Sequence, residues 1–186
     1  GGLSSRRLAL IGLAAFVAIA LVVWWAARPR IAHHEPAPKQ VESVPEGTRN
    51  VTLYFADTDE PNIHPETREL AVSHREDEQL REVIDALIAG PTASEGLSAI
   101  PGGTKLLSAM VDADSGTVYL DFSGELVSNH PGGSAAEYCT IAAIVRTVGD
   151  NFPELQRVQL LVDGAQVESI AGHLRADQPF VVKEWR

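Results

Sequence analysis

Hydrophobic residues are distributed in three ways along the 186-residue chain. Leu8 to Ala27 is an uninterrupted, uncharged and mostly apolar stretch of 20 residues. Pro29 to Gly47 holds four prolines among polar residues and has no apolar periodicity. From Asn50 onward apolar positions either alternate or recur at helical spacing. A helix of about 20 residues spans about 30 Å, the thickness of a bilayer's hydrocarbon core. Leu8–Ala27 is therefore expected to cross a membrane once, as an uncleaved signal anchor. Arg6 and Arg7 precede it, and Trp24 and Trp25 sit near its end, where indole rings favour the headgroup region. A cleaved signal peptide is the competing reading, with Ala18-Ile19-Ala20 as its small-x-small site. The apolar run continues past that site through Trp25, which favours the anchor. The expected organisation is residues 1–28 as anchor, 29–49 as a Pro-rich flexible tether and 50–186 as the folded domain.

Within the domain, Val51–Ala56 is a β-rich run ended by the turn-like Asp57-Thr-Asp-Glu-Pro61, and Thr67–Val72 is a weaker strand. Leu80, Val83, Ile84, Leu87 and Ile88 form a stripe of helical period, with Ser73-His-Arg-Glu76 as its capping box and Gly90-Pro91 as its stop. Thr92–Thr104 reads as a loop. Lys105–Asp112 and Thr117–Phe122 read as a hairpin, with Val118, Leu120 and Phe122 on one face. A second helix is expected from the capping box Ser134-Ala-Ala-Glu137, with Tyr138, Ile141, Ala142, Val145 and Val148 as its buried stripe. Arg157–Val162 alternates as a strand, and Gln166–Ile170 reads as a short return strand after Asp163-Gly164. This order predicts an α+β two-layer sandwich, with two one-sided helices on one face of a single mixed sheet.

Charge narrows the partners. From Asn50 to Arg186 the chain carries nine Lys and Arg against 22 Asp and Glu, a net charge of −13. Such a surface repels phosphate backbones, so no nucleic-acid partner is expected. Cys139 is the sole cysteine, which excludes an internal disulfide and a cysteine metal site.

Several stations then match a known family in order: Val51-Thr-Leu-Tyr-Phe55, Leu87-Ile-Ala-Gly-Pro91, Ile100-Pro-Gly-Gly-Thr104, Val118-Tyr-Leu-Asp-Phe122, Gly133-Ser134, Val158-Gln-Leu-Leu-Val-Asp-Gly164 and Gly172-His173. From Val51 to about Val182 the chain resembles the GerMN domain of sporulation and spore-germination proteins. The resemblance implies a fold like the ring-building domains of secretion-type assemblies, and a non-catalytic role in the bacterial cell envelope. It carries over no catalytic residue and no cofactor. The best-known members have two tandem domains and a lipoprotein cysteine; this chain has room for one domain and has the apolar segment in place of the cysteine.

Candidate chemistry is sparse. Asp57-Thr-Asp59 with Asn62 lacks the glycine and the final glutamate of a calcium loop. The six histidines show no ligand spacing, so no metal is expected; His173 is assigned to holding the C-terminal turn by hydrogen bonds. Gly132-Gly133-Ser134 precedes a helix N-terminus, where anions can bind; the plainer role is a loop feeding an N-cap. Asp121, Asp163 and Gly164 lie at strand ends, where Asp caps backbone groups more often than it forms a catalytic pair. A buried neutral thiol is expected at Cys139. The leading expectation is a membrane-anchored extracytoplasmic structural or interaction protein, not an enzyme, which binds envelope proteins or copies of itself. A binding module for a cell-wall or spore-wall component comes second. A hydrolase using Cys139, Asp121, Asp163 or His173 comes third.

Overall fold

A computed structural model describes residues 47–57, 62–73, 75–92 and 96–185. The expected span Leu8–Ala27 and most of the tether lie outside the described residues. Among the described residues, no helix is long and apolar enough to cross a membrane. The elements are β1 Thr48–Asp57, β2 Ile63–Ala71, α1 Glu76–Ile88, β3 Gly96–Leu97, β4 Leu106–Asp112, β5 Thr117–Phe122, α2 Glu125–Ser128, α3 Ser134–Asn151, β6 Arg157–Val162 and β7 Phe180–Val181, followed by a 3-10 turn Val182–Glu184. The first strand begins two residues before the expected domain boundary, so Thr48 and Arg49 belong to the fold rather than the tether.

The α+β class holds, but the single sheet does not. Among the described residues there are two sheets, one ordered β2-β1-β3 and one ordered β4-β5-β6-β7. In the first, β1 pairs antiparallel with β2 from Thr48↔Ala71 to Ala56↔Ile63, and meets β3 at Ala56↔Leu97. In the second, β4 and β5 form the hairpin, β5 and β6 run parallel, and β7 pairs briefly with β6 at Val158↔Phe180.

The reason the sheets stay separate lies in α3. Along the β1 edge facing away from β2, Asn151 Oδ1 accepts from the Thr52 amide (3.0 Å), and Asn151 Nδ2 donates to the Thr52 carbonyl (2.7 Å). One helical turn back, Thr147 Oγ1 accepts from the Tyr54 amide (3.1 Å). Two side chains at i and i+4 thus occupy the backbone groups that a further strand would need. Helix α3 therefore flanks the β1 edge while also facing the second sheet.

That position also overturns the one-sided helix. Eleven α3 residues are buried, including Glu137, Cys139, Thr140, Thr147 and Gly149, whereas Tyr138, expected in the core, is 44% exposed. Ile141, Ile144, Val145 and Val148 share one core with Val51, Leu53 and Phe55 of β1, α1, and the inward faces of β5 and β6. Cys139, Ala142 and Ala143 pack instead with Tyr54 and Ile63. Helix α1 keeps its sequence-predicted stripe, with Leu80, Val83, Ile84 and Leu87 buried.

Neither capping box forms. Helix α1 starts after Arg75, and Ser73 Oγ donates to Glu78 rather than accepting from a helix N–H. Helix α3 is preceded by Gly133 at φ +86°, which also serves as its N-cap, and no side chain caps it. Positive φ is readily adopted by glycine, so Gly133 permits this abrupt entry. The return strand expected over Gln166–Ile170 is absent: β6 closes with one bridge, Val162↔Ala165, and takes Phe180–Val181 as its partner further on. The loop expected over 92–104 contains the short β3, and Glu125–Ser128 adds a helical turn that had no periodic signal.

Candidate functional site

The fold gathers polar groups at three places. The first is a cleft of about 570 Å³ between the end of β1, the 97–103 segment and the first turns of α3. Asp57, Leu97, Pro101, Ala136, Cys139 and Thr140 contribute to its wall. Thr140 Oγ1 donates to the Ala99 carbonyl (2.6 Å), tying α3 to the loop that forms the opposite wall. His130 Nδ1 accepts from the Gly132 amide (3.0 Å), which leaves the proton on Nε2, 3.2 Å from Thr140 Oγ1. Burial pushes the His130 pKa down, which favours this neutral ring. Beside the cleft, Asp57 Oδ1 lies 2.6 Å from His64 Nδ1. The Cys139 thiol is pushed up, first by burial and then by the Asp57 charge, so it is neither a thiolate nor a ready nucleophile.

The second place centres on Glu137, which is fully buried. Its Oε1 accepts from Ser169 Oγ (2.5 Å) and from the amides of Ile170 (3.1 Å) and Ala171 (2.9 Å). Its Oε2 accepts from the amides of His173 (2.8 Å) and Leu174 (3.1 Å), with His173 Nδ1 at 3.3 Å. Burial raises the carboxyl pKa, but the Ser169 and backbone donors outweigh it and hold the group below the usual carboxylate range. One anion therefore organises the whole 169–174 loop. A hollow of about 430 Å³ lies on that loop's outer side, between His173 and Arg175.

The third place joins the β5 and β6 ends. Asp121 Oδ1 accepts from the Gly164 amide (2.8 Å), and Asp163 Oδ1 accepts from the Gly124 amide (3.2 Å). Asp163 itself stands at φ +50°. The structure thus brings Asp121, Asp163 and Gly164 into one turn cluster. It joins His173 to Glu137, and leaves Gly133 and Ser134 exposed at the start of α3. Glu137 and Thr140 were missed as site residues. Glu137 had a signal: it falls in register with Ile141, Val145 and Val148, an acid on an apolar stripe. Among the described residues, no group of three or more potential metal ligands occurs.

Two sheets, a central helix and carboxylates engaged on backbone amides define a small α+β module. The chain belongs to the Germane family, sporulation and spore germination, whose pattern it matches over residues 52–168. A solved structure of a Clostridium perfringens protein described as a lipoprotein is 28% identical, with a TM-score of 0.53, and the match covers 74% of this chain and 90% of that one. The tandem GerMN domains of the Bacillus subtilis sporulation protein GerM give 19% identity and a TM-score of 0.54, covering 73% of this chain and 46% of the tandem. The first GerMN domain of that protein gives 17% and 0.55, and 98% of it is covered. At these identities the two GerM likenesses bear on the fold alone. No curated protein matched.

Proposed function

We propose that this protein is a non-catalytic interaction module of the bacterial cell envelope, held at the cytoplasmic membrane by Leu8–Ala27 with its GerMN domain outside. It would associate there with envelope proteins or with copies of itself, in the manner of a ring-building domain, in a process linked to sporulation or germination. One observation carries this reading. Glu137, Asp121 and Asp163, the acids singled out at the second and third places, are each hydrogen-bonded to backbone amides. An acid so engaged fixes a loop and is poorly placed to take a substrate proton. The apolar 20-residue segment and the likeness to a protein described as a lipoprotein both favour a membrane-tethered domain.

Placement is testable with one cysteine in the exposed hairpin turn, Asp114→Cys, in a Cys139→Ala background. A membrane-impermeant maleimide should label it in intact cells, and carbonate-washed membranes should retain the chain. Labelling only after lysis, or release by carbonate, would contradict the reading.

The 570 Å³ cleft favours a second reading, a binding module for a cell-wall or spore-wall component. Its volume falls in the range of about 300–1,000 Å³ usual for ligand sites. Soluble wall fragments should then raise the melting temperature in proportion to the logarithm of their concentration. No shift at millimolar fragment would remove this second reading.

A further inference from the structure

Exposed strand edges invite pairing with other chains, and proteins protect them by shortness, charge, proline or cover. Among the described residues, the free backbone of four strands is protected in those ways. On β1, Asn151 and Thr147 occupy the free backbone. Strand β2 carries Pro65, Glu66, Arg68 and Glu69, and β3 and β7 are two residues long. Strand β4 is different. Leu106 to Val111 has no charge and no proline, and it lies at the rim of its sheet. Leu107 is 46% and Met110 62% exposed. Arg81 of α1 donates to the carbonyls of Leu106 and Leu107, beside a register break in β4. Among the described residues, no side chain hydrogen-bonds the backbone from Ser108 to Val111.

We propose that the free edge of β4 pairs antiparallel with β4 of a second copy of this chain, centred on Ala109. The inference rests on the interaction reading above and names its surface. Centring on Ala109 sets Ser108 opposite Met110 on the exposed face and keeps Ala109, which packs toward the core, opposite its own counterpart, clear of the register break at Leu107. The strand is also an uncharged strip on a domain of net charge −13, the place where two copies meet with least repulsion. Two-fold pairing closes the assembly, because each edge is used by its own counterpart. A membrane anchor raises local concentration, so a short ladder suffices where it would be weak in free solution.

In such a pair the two Ala109 Cα atoms stand about 4.5–5.5 Å apart, inside the window for a disulfide. The test uses the full chain in phosphatidylglycerol–phosphatidylethanolamine liposomes with Cys139→Ala. Copper-phenanthroline oxidation of an Ala109→Cys variant is compared with Thr67→Cys, at an exposed position of the protected β2. Covalent dimer should form at least about ten-fold faster at position 109, as geometry inside the window dictates. Adding Met110→Lys should bring that rate down to the Thr67→Cys level. Equal rates at the two positions, or no effect of Met110→Lys, would overturn the proposal. If position 109 fails while the chain still counts as an oligomer, the edge is wrong and the interaction reading stands. A monomer under all conditions removes the self-association reading as well.

Discussion

Glu137 is buried and anionic at once, a combination that costs several kcal/mol unless hydrogen bonds replace the lost water. Five donors from residues 169–174 supply them. Replacing the carboxylate by a methyl strands those amides, so Glu137→Ala should lower stability by about 3 kcal/mol or more in urea titration. The pH dependence follows from the same bonds. The folded-state pKa lies below its unfolded value, so this stability is complete above about pH 4.3 and is lost as pH falls through the depressed folded value. Glu137→Gln should flatten the acid limb of a stability-versus-pH curve. His130 acts in a different window. Its pKa is also lowered, so the unfolded chain binds the proton more tightly, and stability falls as pH drops below about 6.5. His130→Gln should remove that component and leave the Glu137 limb in place. A curve unchanged near pH 6 would contradict the neutral ring bonded to Thr140.

At the scale of elements, α3 is the part on which both sheets depend. Asn151→Ala leaves the amide and carbonyl of Thr52 without their partner, and chemical denaturation should show a loss of about 2 kcal/mol. The preceding turn holds Gly149, where an added Cβ would lie 2.2 Å from Val182 Cγ1. Alanine improves helix propensity by about 1 kcal/mol, while overpacking costs about 1–3 kcal/mol. Because Val182 is buried and β-branched, the clash should win and Gly149→Ala should destabilise. Val182→Ala should relieve that clash, so the double variant should be more stable than the two single costs added together.

These contacts also mark what the sequence could convey. The α1 stripe and the β5 alternation of Val118, Leu120 and Phe122 were legible, because each element buries one face against one neighbour. Helix α3 was not, because it faces two environments and its buried polar residues resemble surface ones. Thr147 and Asn151 look like solvent positions until β1, some 95 residues earlier, is placed beside them. Ser134-x-x-Glu137 matched a local capping signature, whereas the partners of Glu137 lie 32–37 residues downstream. The turn cluster of Asp121, Asp163 and Gly164 was visible as strand-end residues, but its cross-links to Gly124 and Gly164 required the parallel β5–β6 pairing.

On the scale of the whole molecule, an apolar N-terminal segment precedes an acidic domain whose β4 edge carries no charge from Ser108 to Val111. Charge opposes assembly and the edge favours it, so salt decides between them: at 0.1 M the screening length is already about 10 Å. Counting photobleaching steps of single, dye-labelled full chains in supported bilayers measures that balance directly. The account predicts multi-step traces whose share grows with surface density and rises from low to moderate salt. Single-step traces at every density and salt concentration would contradict it.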